Sequence, residues 1–514
     1  MKSLPLYAML LLLGACGPRP ATWDRARTVH GPFPLADQLI WIDDASEAAI
    51  ALDLHQIKPS SYRTPLIAGA SFVKRIGEQL VVLGASTRDG QSQRLATLQL
   101  LALVDGRLSL KRSFELPAAF DRVAASDDGR FIVAYFATAT DQGAVFRNPN
   151  QIAVVDLEQA AGAQQPVSFT LRDLPGPPSG VFFSPELRLA NDTRSTRRLA
   201  VFAASNAISV VDLEQPERQP AGLSLVPFDS TTRVEPQVVL FDPLTGRIVM
   251  RAKGASDLYL IALSPTAAKS PLADFALTIE RPSAAADVVD VALLVDQAIG
   301  RTLIAALTTA PELVVFDTQG ALAQRFALDS AAHALRYLPA VDRLLAYSEA
   351  GVSDRIFVFE AKAEGKGIAG RPVGRTLGSA VARVAIAPDG KNALIFHDDG
   401  GVAVSLLDLG RAQWSEEPLA GRGALTSYDF YDRDYLVAIT PRVKQLGLLD
   451  LRTRSVGDVP LDFEPISVVA LDHDVVVTHS SPTGLITAIS GLDAQPRARV
   501  ISGVLIEGLF DARY

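Results

Sequence analysis

Hydrophobic and polar positions along the chain fall into short apolar runs separated by turns rich in Gly, Pro, Asp and Asn, with almost no helical periodicity. One run returns nearly letter for letter, as Ile152-Ala-Val-Val-Asp-Leu157 and Ile208-Ser-Val-Val-Asp-Leu213. Looser copies stand at Leu313-Val-Val-Phe-Asp317, Ile356-Phe-Val-Phe-Glu360, Val404-Ser-Leu-Leu-Asp-Leu409 and Leu446-Gly-Leu-Leu-Asp-Leu451. Alanine replaces the acid in Leu98-Gln-Leu-Leu-Ala-Leu103 and Leu258-Tyr-Leu-Ile-Ala-Leu263. Runs this rich in Val, Ile and Leu predict strands buried on both faces. One strand recurring at a near-constant period predicts a repeat architecture.

A single unit shows the order of parts. Ala382-Arg-Val-Ala-Ile-Ala387 reads as a first strand, Pro388-Asp-Gly390 as a turn and Asn392-Ala-Leu-Ile-Phe396 as a second strand. Asp398-Asp-Gly-Gly401 leads to a third strand over 402–409, and the stretch around Trp414 supplies a fourth. Asp-Gly and Gly-Gly pairs suit tight hairpins because those turns need positive φ. The same order runs from Asp121 to Leu157 and from Val239 to Leu263, where Asp242-Pro-Leu-Thr-Gly246 is the turn.

One position of each third strand gives Asp53, Ala102, Asp156, Asp212, Ala262, Asp317, Glu360, Asp408, Asp450 and Ser490, spaced 40 to 56 residues apart. Four antiparallel strands in that length make one propeller blade. A sandwich does not repeat one strand at this period, and a solenoid with units this long carries helices. The expectation is an all-β propeller of about seven to ten repeat units over residues 37–514. No linker divides the middle, which favours one ring over two in tandem. The first unit, opening at Gln38-Leu-Ile-Trp-Ile42, lacks a first strand in this reading. Gly503-Val-Leu-Ile-Glu-Gly-Leu-Phe-Asp511 resembles the first strands of other units. The C-terminal strand is therefore expected to complete the N-terminal blade and remove the free edges. These repeats resemble those of bacterial propeller lipoproteins with WD40-like or YVTN-type units. The chain lacks regular Trp-Asp pairs, and three tryptophans are too few for a tryptophan-docked quinoprotein.

The N-terminus changes the picture from fold to address. Lys2 precedes an apolar run over Leu4–Leu13, too short to span a bilayer as a permanent helix and suited to a signal peptide over residues 1–15. The run ends in Leu13-Gly14-Ala15-Cys16, which resembles the lipobox of bacterial lipoproteins. That resemblance implies lipidation of Cys16 and anchoring in a membrane. Gly17, rather than an aspartate, implies the outer membrane, with the domain facing the periplasm or the cell surface. Cys16 is the only cysteine, so the mature domain has no intramolecular disulfide and no cysteine nucleophile. Residues 16–36, with Pro18, Pro20, Pro32 and Pro34, read as a semi-extended tether.

Composition narrows the chemistry. Hydrophobic residues make up 48% and charged residues 21%, ordinary globular values. A net charge of −8 argues against a sequence-independent grip on nucleic acid. The basic cluster Arg194–Arg198 reads as a solvated loop. Gly365-Lys-Gly-Ile-Ala-Gly370 matches a dinucleotide pattern but has no helix behind it, so it reads as a loop. Asp472-His-Asp474, with His479 an even number of residues beyond His473, is the best local metal candidate, and a polar hairpin tip is the plainer reading. The other histidines are His30, His55, His333 and His397. The recurring acids Asp156, Asp212, Asp317, Glu360, Asp408 and Asp450 read as acceptors for turn amides rather than as a ring of cation ligands. No catalytic residue, cofactor or metal site is assigned. The expected function is a membrane-anchored, non-enzymatic scaffold for other envelope proteins. The alternative is a propeller enzyme of the metal-dependent lactonase or glycan lyase or hydrolase type.

Overall fold

The computed structural model describes residues 28–512 except 45, 55–58, 68, 87–94, 138–147, 159–164, 193, 195, 228–231, 268–270, 362–366, 398–403, 412, 418–424, 441, 493–494 and 507–509. Every regular element among the described residues is a β-strand. The strands build ten antiparallel sheets in sequence order, blades 1 to 10, over residues 29–65, 70–116, 122–170, 180–224, 236–280, 288–327, 334–376, 381–417, 427–460 and 465–512. All ten third-strand markers, Asp53 through Ser490, lie in the third strands of these sheets.

The continuous apolar runs follow from burial on both sheet faces. In blade 4, Leu199, Val201 and Ala203 of the second strand join the cluster shared with blade 5. Ala200, Phe202 and Ala204, pointing the other way, join the cluster shared with blade 3. Alternation with period two sends successive residues to opposite faces, and here both faces are core. The same device joins every consecutive pair of blades. A last cluster packs Leu39, Trp41, Ile50 and Leu52 of blade 1 on Val476, Ile486 and Ile501 of blade 10. The blades therefore form one closed ring, a ten-bladed β-propeller. First strands of neighbouring blades lie side by side, as Ser427–Tyr431 does with Pro465–Ala470, and so face the centre.

Ring closure differs from expectation. Blade 1 has its own first strand, Val29–Leu35, inside the stretch read as tether, so the propeller starts before residue 37. Gly31 and Pro32 fall within an irregularity of the pairing between His30 and Phe33, and the strand lies at the sheet edge, where prolines are tolerated. With that place filled, the C-terminal strand Phe510–Ala512 pairs instead with Arg497–Ser502 as a fifth strand of blade 10. The C-terminal stretch still touches blade 1 through side chains. Val504 is buried in the shared cluster, and Arg63 donates to the Leu505 carbonyl at 3.3 Å.

Carboxylates strap consecutive blades near the channel. Asp44 accepts from the Ala70 amide at 3.1 Å, and Asp290 from Leu335 at 2.7 Å. Glu349 accepts from Val384 at 3.1 Å, and Asp429 from Ala470 at 2.8 Å. Each acid belongs to one blade and each amide to the first strand of the next, an edge whose N–H groups are otherwise left over from the ladder.

Candidate functional site

Two ends of the ring are distinguished by their loops. One end carries the turns joining first to second and third to fourth strands, and the recurring acids sit there. Asp156 accepts the Glu158 amide at 3.0 Å, and Asp212 the Glu214 amide at 3.0 Å. Asp317 accepts from Gln319 and Ala321, both at 2.9 Å, and Asp450 from Arg452 at 2.8 Å and Thr453 at 2.9 Å. These side chains close their own turns, as read from sequence. The turn Asp242–Gly246 is tight for a further reason. Gly246 has φ +71°, and a Cβ there would lie 2.3 Å from Leu189 Cδ2.

Arg194–Arg198 is not a solvated loop. Arg197 is 1% exposed and binds Asp192, Asp212 at 3.0 Å and Asp274 of blade 5 at 2.6 Å. Arg194 pairs with Asp212 and with Glu214 at 2.6 Å. Arg198 reaches Glu186, Asp128 and Glu214 at 3.0 to 3.2 Å. Burial alone would lower the Arg197 guanidinium, but its hydrogen bonds to Asp192 and Asp274 more than reverse this and raise it. Asp192 is held low first by its bond to Arg197, whereas the deeper Asp212 is pushed up by burial that Arg194 only partly offsets. A guanidinium with fixed donors can satisfy several carboxylates at once, so the network locks blades 3, 4 and 5 together. Spacing in sequence gave no signal of the acids that come to meet it.

The buried histidines hold the opposite end. His397 bonds the Ala380 carbonyl at 3.1 Å and Ser405 Oγ at 2.7 Å. His479 repeats this in blade 10 with the Glu464 carbonyl at 3.0 Å and Thr487 Oγ1 at 2.8 Å. A carbonyl only accepts, so each Nδ1 carries the proton that bonds it. His333 bonds Ser348 Oγ at 2.8 Å, and His30 lies 3.1 Å from Asp44. His473 and His479 do not converge, because His473 precedes the strand Asp474–His479 and His479 ends it. Among the described residues no group of three His, Cys, Asp or Glu side chains is placed to hold a metal ion. The glycine pattern at 365–370 runs into the strand Ala369–Thr376 rather than a helix, and Gly365 lies outside the described residues. Cys16 and His55 also lie outside them.

The inner wall is the feature that sequence reading missed. Exposed positions on first strands include Lys74 and Arg75 of blade 2, Arg122 of blade 3, Arg336 of blade 7 and Arg383 of blade 8. Arg383 lies over the Tyr428 ring of blade 9 with 5.4 Å to its centroid. Acids on these strands are less available: Asp290 and Asp429 are half-buried and bonded to backbone amides. Perturbed groups gather at the histidine-bearing end of blades 5 to 7. Burial lowers Arg251 and raises Asp290 and Tyr347, and the three are linked electrostatically through Asp290 and Arg336. Arg251 Nε is buried without a hydrogen-bond partner among the described residues. Among the described residues the first strands thus expose guanidinium and ammonium groups, while Asp290 and Asp429 are engaged by backbone amides. The only sequence signal was an arginine or lysine interrupting an apolar first strand.

No protein-family model matches the chain, and no curated protein matches it. Solved structures similar to it include a dihydro-heme d1 dehydrogenase, NirN, in complex with DHE, at 14% identity and TM-score 0.38, covering 88% of this chain and 78% of that one. The Dos1 propeller is 11% identical with TM-score 0.38, covering 69% and 88%. Sqt1 of Saccharomyces cerevisiae is 9% identical with TM-score 0.37, covering 85% and 93%. Likeness this distant carries no activity across.

Proposed function

We propose that the chain is an envelope lipoprotein, anchored in the outer membrane through lipidated Cys16, whose propeller serves as a non-enzymatic binding scaffold for other envelope proteins. The observation that carries this reading is how the polar side chains are used. The buried histidines and recurring acids, which a lactonase or lyase would need at the channel, are spent on bonds within single blades and on turns. Exposed charge is left on the wall, where it can meet a partner. Propellers suit this role because ten blades present many independent loops on one rigid ring.

The test is crosslinking and recovery from native membranes, with Cys16→Ser as the control. The reading expects the same envelope proteins in stoichiometric amounts with the wild-type chain and their loss with Cys16→Ser. Recovery of the chain alone would overturn the scaffold. Stoichiometric calcium or zinc in the purified protein would shift the reading to a propeller enzyme.

A further inference from the structure

We infer that the groove spanning blades 8 and 9, bordered by Val341 of blade 7 and lying at the end carrying the recurring acids, is a binding site for an oxyanion, a phosphate or carboxylate group on a small ligand. The groove encloses about 500 Å³, within the range of small-molecule sites. Lys391 comes from the first turn of blade 8 and Arg411 from its last turn, while Arg452 and Arg454 come from the last turn of blade 9. Two acids share the lining, Asp389 and Asp408, so its formal charge is +4 − 2 = +2, in a chain of net charge −8.

Both acids are already committed. Asp389 accepts from the Lys391 amide at 2.8 Å, the Asn392 amide at 3.1 Å and the Asn392 side chain at 2.6 Å. Asp408 accepts the Arg411 amide at 3.2 Å and turns its other oxygen to Arg454 at 3.7 Å. Lys391, Arg411 and Arg452 have no carboxylate within ion-pair distance among the described residues. Blades 3 to 5 show the opposite solution at the same end of the ring, where Arg130, Arg194, Arg197 and Arg198 each meet carboxylates. Three cations line one cavity, only Arg452 being partly offset, by Asp450 of its own turn, and guanidinium forks match the paired oxygens of phosphate and carboxylate. The site belongs to the folded ring and does not depend on the lipid anchor.

The test uses the full-length chain with Cys16→Ser, so that failure of the anchor and failure of the groove are separate results. Inorganic phosphate and citrate are titrated calorimetrically, and sedimentation is measured with phosphatidylglycerol and with phosphatidylcholine vesicles. Saturable binding of phosphate or citrate is expected, weakened about tenfold or more by Arg411→Ala with Arg452→Ala. Lys391→Glu, a change from a different turn, must weaken it as well, whereas Lys111→Ala on the outer strand of blade 2 leaves it intact. Retention by phosphatidylglycerol vesicles alone, lost in the same variants, would identify a lipid headgroup as the source of the oxyanion. Absence of binding to every probe, or equal binding by variants with unchanged melting temperature, would overturn the proposal.

Discussion

His479 shows how one side chain can look like a ligand in sequence and serve the fold instead. It is 6% exposed, and both ring nitrogens are used within its own blade, one on the carbonyl just before the first strand and one on the third strand. Burial is the leading cause of its lowered pKa, only partly offset by the Glu464 carbonyl and the charge of Asp462. In the unfolded chain this histidine takes up a proton near the ordinary value of about 6.5, while in the folded chain it resists. Between those two values the unfolded state binds more protons, so stability rises with pH there and is lost as pH falls below about 6.5. His479→Gln removes the titration. Urea unfolding at pH 8 and pH 5 should show the wild-type advantage over the variant shrinking on acidification. An advantage that stays constant or grows would mean that His479 is protonated in the fold.

At the scale of elements, much was legible in the sequence and some was not, for identifiable reasons. Second and third strands were plain because both faces are core, so every residue along Leu199–Ala204 and Ala207–Ile208 is apolar. First strands were harder, since one edge faces the channel and admits residues that a central strand excludes. Pro32 and Pro34 hid the strand Val29–Leu35 as tether, and Asp290 and Asp429 of other first strands carried no repeating pattern that would single them out. The structure makes those aspartates the links between blades. Asp429 accepts the amides of Phe430 at 2.8 Å and Ala470 at 2.8 Å, and beside it Ser427 bonds the Val468 amide at 3.1 Å. Asp429→Ala leaves the Ala470 amide without its acceptor, at a cost of about 1–3 kcal/mol. Asp429→Asn keeps an acceptor oxygen and should cost clearly less. Equal losses in the two variants by denaturant titration would show that charge, not the strap, matters at this position.

At the scale of the molecule, the question is what keeps ten blades in one ring. A propeller whose last strand completes its first blade is held by backbone pairing across the join. Here both terminal blades hold their own four strands, and the join is made by side chains. Leu35, 1% exposed, and Phe33 anchor the first strand in the cluster between blades 1 and 2. Burial of such side chains is worth about 1.5–3 kcal/mol each, apart from the ladder to the second strand. The fifth strand of blade 10 adds three paired residues at an outer edge. Three chains separate the two closures: one beginning at residue 22, one at residue 36, and one beginning at 22 and ending at 506. The chain lacking 507–514 should melt within a few degrees of the first, because the outer strand caps an edge without joining blades. The chain beginning at 36 should melt markedly lower and less cooperatively, since blade 1 then exposes the edge of its second strand to the channel and loses two anchors of its core. The reverse order would mean that the C-terminal segment contributes more to the closed ring than the first strand of blade 1 does.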